Sequence, residues 1–275
     1  MKIDETLRQA LLAGVVDAGE RVLEIYAQDF SVETKADDSP LTQADLAAHR
    51  SLSDLLERLT PEIPMLSEES EEIAFETRRQ WSRYWLVDPL DGTKEFIRKS
   101  GEFTVNVALI EDGVPVFGIV HAPVLGATWW GDVERGAFKI TAEGERAIHV
   151  RELPAAGERP WLIVASRAHG AEPVDVFCTQ LPAHERVSMG SSLKLCLVAE
   201  GAADLYPRLA PTCEWDTAAA QAVVTAAGGE VLDADTLEPL RCNQQPSTLN
   251  PSFIVCGQRS VKWERALRHS LARRT

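Results

Sequence analysis

Apolar positions along the chain follow two periods in succession. Ile3, Leu7, Leu11, Val15, Val22 and Tyr26 recur at helical spacing and predict a long amphipathic helix over residues 4–28. Leu46, Leu52, Leu55, Leu56 and Leu59 predict a second helix, ended before Pro61, and Asp37-Asp38-Ser39-Pro40 between the two reads as a turn. Ile63 to Leu66 is a short apolar segment, followed by a polar helical stretch and the apolar strand Tyr84-Trp85-Leu86-Val87. Residues 103–131 read as a β-meander: Phe103 to Ile110, a hairpin signal at Asp112-Gly113, a return from Val114 to Val120, and a further strand at Ala127 to Trp130. Gly136 to Val150 adds more strand.

Leu153 to Glu158 is the best linker, and beyond it strands alternate with helices. Strands are expected at 161–165, 185–188, 203–206, 230–232 and 252–256, with helices near 172–181, 192–200, 216–227 and from 260. The expected organisation is an α+β part over 1–155 and an α/β part over 156–275. No internal repeat or low-complexity tract interrupts it.

Charge and composition narrow the function. The net charge of −14 argues against non-specific nucleic-acid binding, which depends on lysine and arginine contacts to phosphate. Five cysteines, Cys178, Cys196, Cys213, Cys242 and Cys256, form no CxxC pair and read as reduced thiols, not a disulfide frame or zinc site. The start Met1-Lys2-Ile3-Asp4-Glu5 lacks the features of a signal peptide, and no apolar run reaches the ~18 residues of a membrane span. A cytoplasmic protein is expected, or one lying peripherally on the cytoplasmic face of the inner membrane, as a monomer or homodimer.

Four acidic residues sit beside apolar segments: Glu68, Asp88, Asp91 and Asp216. Two like charges ~4 Å apart repel by about 4 kcal/mol at an effective dielectric near 20. Clustering them therefore needs a cation or protonation. Oxygen ligands without neighbouring His-Cys pairs suit Mg²⁺ better than zinc. Ordinary structural roles exist for each: Asp88-Pro89-Leu90-Asp91-Gly92 as a turn, Asp216 as a helix cap, and Glu68 in a solvated acidic run. Thr42-Gln43-Ala44-Asp45 fits a capping box. An EF-hand loop fits poorly, because Asp88 and Asp91 are three apart and the twelfth position is Lys99. A haloacid-dehalogenase phosphatase would place Asp-x-Asp-Gly-Thr after the strand, and this chain has one residue too many.

The combination of Glu68-Glu69, Trp85-Leu86-Val87-Asp88-Pro89-Leu90-Asp91-Gly92-Thr93 and Glu214-Trp215-Asp216-Thr217-Ala218-Ala219 resembles the inositol monophosphatase superfamily, across essentially the whole chain. The resemblance implies a layered αβαβα sandwich of α/β class and an Mg²⁺-dependent, lithium-sensitive phosphatase. Within the superfamily the chain is most similar to the CysQ-type 3'(2'),5'-bisphosphate nucleotidases. That likeness lies in Lys35 to Asp45, Ser166-Arg167-Ala168-His169, Gly190-Ser191-Ser192-Leu193-Lys194 and Ala203-Asp204-Leu205-Tyr206-Pro207-Arg208.

By this resemblance, Glu68, Asp88 and the Leu90 carbonyl would hold one Mg²⁺, and Asp88, Asp91 and Asp216 a second, the two-metal arrangement of phosphoryl hydrolysis. Asp45, through the Thr93 hydroxyl, is the general-base candidate and would touch a third ion; Glu68 is its rival. Gly92 and Thr93 would receive the phosphate, aided by backbone N–H groups if a helix begins there. Ser191, Lys194 and Arg208 would receive the other phosphate and the adenosine, and His169 would pack on or bond to the nucleotide. The implied substrate is a small nucleotide bisphosphate, adenosine 3',5'-bisphosphate, with 3'-phosphoadenylyl sulfate second, in sulfate assimilation and nucleotide salvage. An inositol or fructose-bisphosphate phosphatase of the same fold, or a non-catalytic nucleotide- or metal-binding regulator, are the competing readings.

Overall fold

The structure, a computed structural model, describes residues 2–34, 40–155, 157–165 and 171–273. Helix α1 (Glu5–Tyr26) is capped by Asp4, whose Oδ1 accepts the Leu7 N–H at 2.8 Å, and buries Leu11, Val15, Ala18 and Val22. A short antiparallel pair, β1 (Val32–Thr34) and β2 (Pro40–Thr42), leads into α2 (Gln43–Leu59). The expected turn at 37–40 lies outside the described residues except for Pro40, which opens β2.

The first sheet contains β3 (Met65–Ser67), β4 (Arg83–Asp91), β5 (Thr104–Glu111), β6 (Val114–Ala122), β7 (Ala127–Asp132), β8 (Gly136–Thr141) and β9 (Gly144–Ile148), in that spatial order among the described residues. Among the described residues of this sheet, only the β3–β4 pair is parallel. Between β3 and β4 the expected polar helical stretch shrinks to α3 (Phe75–Arg78). Residues 68–74 carry a single large apolar side chain, Ile73, so no repeating face exists to dock a longer helix. After β4, α4 (Thr93–Ile97) is little more than one turn.

The second half follows the expected alternation: β10 (Trp161–Ala165), α5 (Ala171–Thr179), β11 (His184–Ser188), α6 (Leu193–Ala199), β12 (Leu205–Arg208), α7 (Glu214–Ala226), β13 (Glu230–Asp233), β14 (Phe253–Cys256) and α8 (Val261–Leu271). Its strands form one sheet of order β11-β10-β12-β14-β13 among the described residues.

Side-chain alternation stacks these parts in five layers. On β4, Trp85 and Val87 point into a core with Leu11, Val15, Leu52 and Leu56 of α1 and α2. Tyr84 and Leu86 point the other way, into a core shared with α6, α7 and one face of the second sheet. The opposite face of that sheet, through Ile163, Leu205 and Ile254, packs with Phe177 of α5 and Trp263 of α8. The result is an αβαβα sandwich. Helix α7 therefore comes from the second half of the chain but covers the sheet of the first. It lies close: a Cβ on Gly118 of β6 would stand 2.2 Å from the Ala219 carbonyl oxygen. Among the described residues, no helix is long and apolar enough to cross a membrane.

Candidate active site

Strand β4 carries the central pair of carboxylates, and an irregularity brings them together. Three apart on a regular strand, Asp88 and Asp91 would face opposite sides of the sheet. Opposite β5, however, Asp88 pairs with Asn106 and Asp91 with Thr104. Three steps on β4 thus match two on β5, which is a β-bulge. Pro89, with no N–H to give the ladder, sits inside it. The extra residue restores the parity, and Asp88, Asp91 and Asp216 each offer an oxygen within 4.8 Å of the others.

Each of the three is held differently. Asp88 is buried; its Oδ1 accepts the Leu90 N–H at 3.0 Å, while its Oδ2 is buried with no hydrogen-bond partner. Asp91 Oδ2 accepts the Ser192 N–H at 2.5 Å. Asp216 Oδ2, at the start of α7, accepts the Cys213 N–H at 2.9 Å and the Thr212 hydroxyl. Burial, followed by the charges of Glu68, Asp91 and Asp216, pushes Asp88 well above the usual carboxylate range. Burial and Asp216 raise Asp91 to about 7, against the pull of Lys194 and the Ser192 N–H. Burial also raises Asp216.

A buried carboxylate oxygen with nothing to accept from, among three carboxylates that resist ionisation, suits a cation held between them. The donors are all oxygens, so the residues fit a hard divalent ion. Glu68 lies outside the tight trio but near enough to push Asp88 upward, and its N–H donates to Val87 O at 3.1 Å.

Asp45 combines its structural and its candidate chemical role. Its Oδ2 accepts both the N–H and the hydroxyl of Thr42 at 2.7 Å, completing the capping box. Its other oxygen, Oδ1, faces Thr93 Oγ1 at 3.3 Å, and that hydroxyl is also 3.3 Å from the Leu90 carbonyl oxygen. Gly92, at φ +95°, makes the left-handed turn between the bulge and α4.

A cleft opens beside the trio, lined by Asp91, Gly92, Ser191, Lys194, Arg208 and Asp216. Lys194 is 7% exposed, donates to the Ser191 carbonyl and lies 5.6 Å from the Tyr206 ring. Burial lowers it to about 8, with Asp91 opposing. Arg208 donates through Nη2 to Pro211 O at 2.8 Å, whereas its buried Nε has no partner. The cleft wall thus combines carboxylates with two cations.

The protein-family comparison matches residues 3–272 to the inositol monophosphatase family. The chain belongs to that family. It is 48% identical over 241 residues to the 3'(2'),5'-bisphosphate nucleotidase CysQ of Escherichia coli O157:H7, covering 87% of this chain and 95% of the relative. Its identity to the CysQ nucleotidase of Salmonella typhimurium strain LT2 and the coverage are the same. The crystal structure of CysQ from Bacteroides thetaiotaomicron, a bacterial member of the family, superposes with a TM-score of 0.80 at 38% identity, covering 91% of this chain and 97% of that one. Enzymes of this family are generally metal-dependent, which agrees with the acidic cluster.

Against the family expectation, the described residues bring together Asp45, Thr93, Leu90, Asp88, Asp91 and Asp216, and line the neighbouring cleft with Gly92, Ser191, Lys194 and Arg208. His169, with Ser166 to Ala168, lies outside the described residues. Sequence reasoning did not single out Ser192, Thr212, Glu95 or Glu102. Ser192 supports Asp91 through its main chain, which no side-chain motif signals. Thr212, one helical turn before Asp216, could have been found as a polar residue next to a helix start. Glu95 and Glu102 enter the cleft wall from α4 and the loop after it.

Proposed function

We propose that this chain is a metal-dependent 3'(2'),5'-bisphosphate nucleotidase that hydrolyses adenosine 3',5'-bisphosphate to AMP and phosphate, with 3'-phosphoadenylyl sulfate as a second substrate. The observation that carries the reading is the partnerless oxygen of buried Asp88 in a cluster of three carboxylates, beside a cleft lined by Lys194 and Arg208. The 48% identity to CysQ nucleotidases supports the choice of substrate class.

Glu68, Asp88 and the Leu90 carbonyl would hold one Mg²⁺, and Asp88, Asp91 and Asp216 a second. When bound, the ions neutralise the phosphate and activate water for in-line attack. The chain supplies the rest. Asp45, fixed by Thr42 through Oδ2, turns Oδ1 to the Thr93 hydroxyl and can accept its proton, so that hydroxyl can in turn take a proton from the attacking water. Gly92 lets the backbone approach the scissile phosphate. Lys194 offers a point charge and Arg208 a planar fork to the second phosphate, with Ser191 beside them. Inositol 1-phosphate has no second phosphate to occupy these cations.

The test is turnover of adenosine 3',5'-bisphosphate against inositol 1-phosphate, at equal Mg²⁺. Nucleotide preference is expected. Faster release of phosphate from the inositol ester would overturn the substrate assignment, and nucleotide binding without phosphate release would favour a regulator.

A further inference from the structure

Helix α2 reaches the site at two places one turn apart. The first is Asp45. The second is His49, whose Nδ1 lies 3.0 Å from the hydroxyl of Ser67. Ser67 is 3% exposed and immediately precedes Glu68. Its Oγ also accepts the Glu69 N–H at 3.4 Å, so its own proton is left to point at the imidazole. Burial, with the Arg50 charge adding to it, holds His49 below its ordinary pKa and so favours the neutral ring that can accept that proton. A turn further on, Ser53 Oγ donates to the His49 carbonyl at 2.8 Å and stands 3.9 Å from Met65 Sδ on β3.

The strand so gripped is a weak element by itself. β3 has three residues, stands at the edge of its sheet and pairs only with β4 among the described residues. Glu68 follows it directly, and its charge raises Asp88. Like charges push this segment away from β4, while a bond from the rigid 17-residue α2 holds it in place.

We propose that His49 is a positioning residue for the metal centre: through Ser67 Oγ it fixes the end of β3 that presents Glu68 to Asp88. The contact couples the helix of the general-base candidate to the backbone of a metal ligand, and His49 itself touches neither ion nor substrate. This rests on the reading of Glu68 as a ligand.

The experiment measures Mn²⁺ binding to metal-stripped protein by electron paramagnetic resonance, alongside steady-state kinetics at saturating metal. The variants are Glu68→Gln, His49→Ala, Ser67→Ala, the His49→Ala/Ser67→Ala double and His49→Asn, whose amide oxygen can replace Nδ1 as acceptor. His49→Ala and Ser67→Ala should each weaken Mn²⁺ binding about tenfold, the lower end of effects seen for outer ligand supports. The double variant should lose no more than either single, His49→Asn should recover most of the loss, and KM should stay unchanged. Wild-type Mn²⁺ binding by His49→Ala and Ser67→Ala, with Glu68→Gln impaired, would overturn this inference and leave the ligand reading standing. Wild-type binding by Glu68→Gln would remove both. Losses that multiply in the double variant would show independent action and also overturn it. If His49→Ala does not fold, Ser67→Ala, which removes one oxygen, decides by the same criterion.

Discussion

The Ser192 N–H donates to Asp91 Oδ2 at 2.5 Å, joining residues 101 positions apart. Ser192 is itself anchored on β5: its hydroxyl lies 2.8 Å from Thr104 Oγ1 and 3.1 Å from Asn106 Oδ1. The same two β5 residues face Asp91 and Asp88 across the bulge. One small network therefore fixes the bulged carboxylates and the loop that opens the substrate cleft.

Asp91→Asn keeps an oxygen to accept the Ser192 N–H but removes one charge from a repelling trio. Its kcat should fall at least about a hundredfold, while its melting temperature in chelator equals or exceeds the wild type. Adding Mg²⁺ at a hundred times its Kd should stabilise the wild type by about 2.7 kcal/mol and the variant much less. Calorimetry with and without chelator measures both; near-wild-type turnover would remove Asp91 from the ligand set.

Thr93 Oγ1 bridges Asp45 Oδ1 and the Leu90 carbonyl. Thr93→Ala should lower kcat by about 10²- to 10⁴-fold with little change in KM, whereas Thr93→Ser restores most of it. Equal losses in both variants would mean that the methyl group, not the hydroxyl, matters.

Arg208→Ala should raise KM for adenosine 3',5'-bisphosphate at least about tenfold and leave KM for adenosine 3'-monophosphate nearly unchanged, because the lost partner of the guanidinium is the second phosphate. A parallel rise for both substrates would place Arg208 elsewhere than at the 5'-phosphate.

His121 predicts a pH effect remote from the cleft. It is 6% exposed, bonded through Nδ1 to Thr128 Oγ1 at 2.8 Å and covered by Gly19 of α1, and burial lowers it to about 4. Between about 4 and its unfolded value near 6.5, the unfolded chain binds the proton and the folded chain does not. Stability from this residue is therefore full above about 6.5 and is lost as pH falls to 4, by about 3 kcal/mol. Asp91, raised to about 7, works in the opposite sense in metal-free protein, so the contribution of His121 must be read as a difference. Urea unfolding in chelator at pH 7.5 and pH 5, for wild type and His121→Gln, should show a smaller acid loss in the variant; equal losses would assign the acid sensitivity to other groups.

Local pattern was enough for most of the architecture. Helix and strand periods are set by which side chains must leave water, and that information is carried within a few residues. Most elements therefore lie within a few positions of where the periodicity puts them, apart from the short β1–β2 pair, which the sequence reading did not expect, and the polar stretch at 68–74, which has no apolar face to organise it. The motifs Asp88-Pro89-Leu90-Asp91-Gly92-Thr93 and Trp215-Asp216 likewise marked carboxylates beside apolar segments, although each taken alone also fitted a turn or a helix cap. What sequence could not reveal is everything that depends on register and on distant partners. The bulge that turns Asp88 and Asp91 to one side is defined only against β5, the support of Asp91 is a main-chain N–H 101 residues further along the chain, and His49 meets Ser67 only when α2 packs on the sheet. Those relations arise from long-range packing, which brings together groups whose local sequences carry no trace of one another.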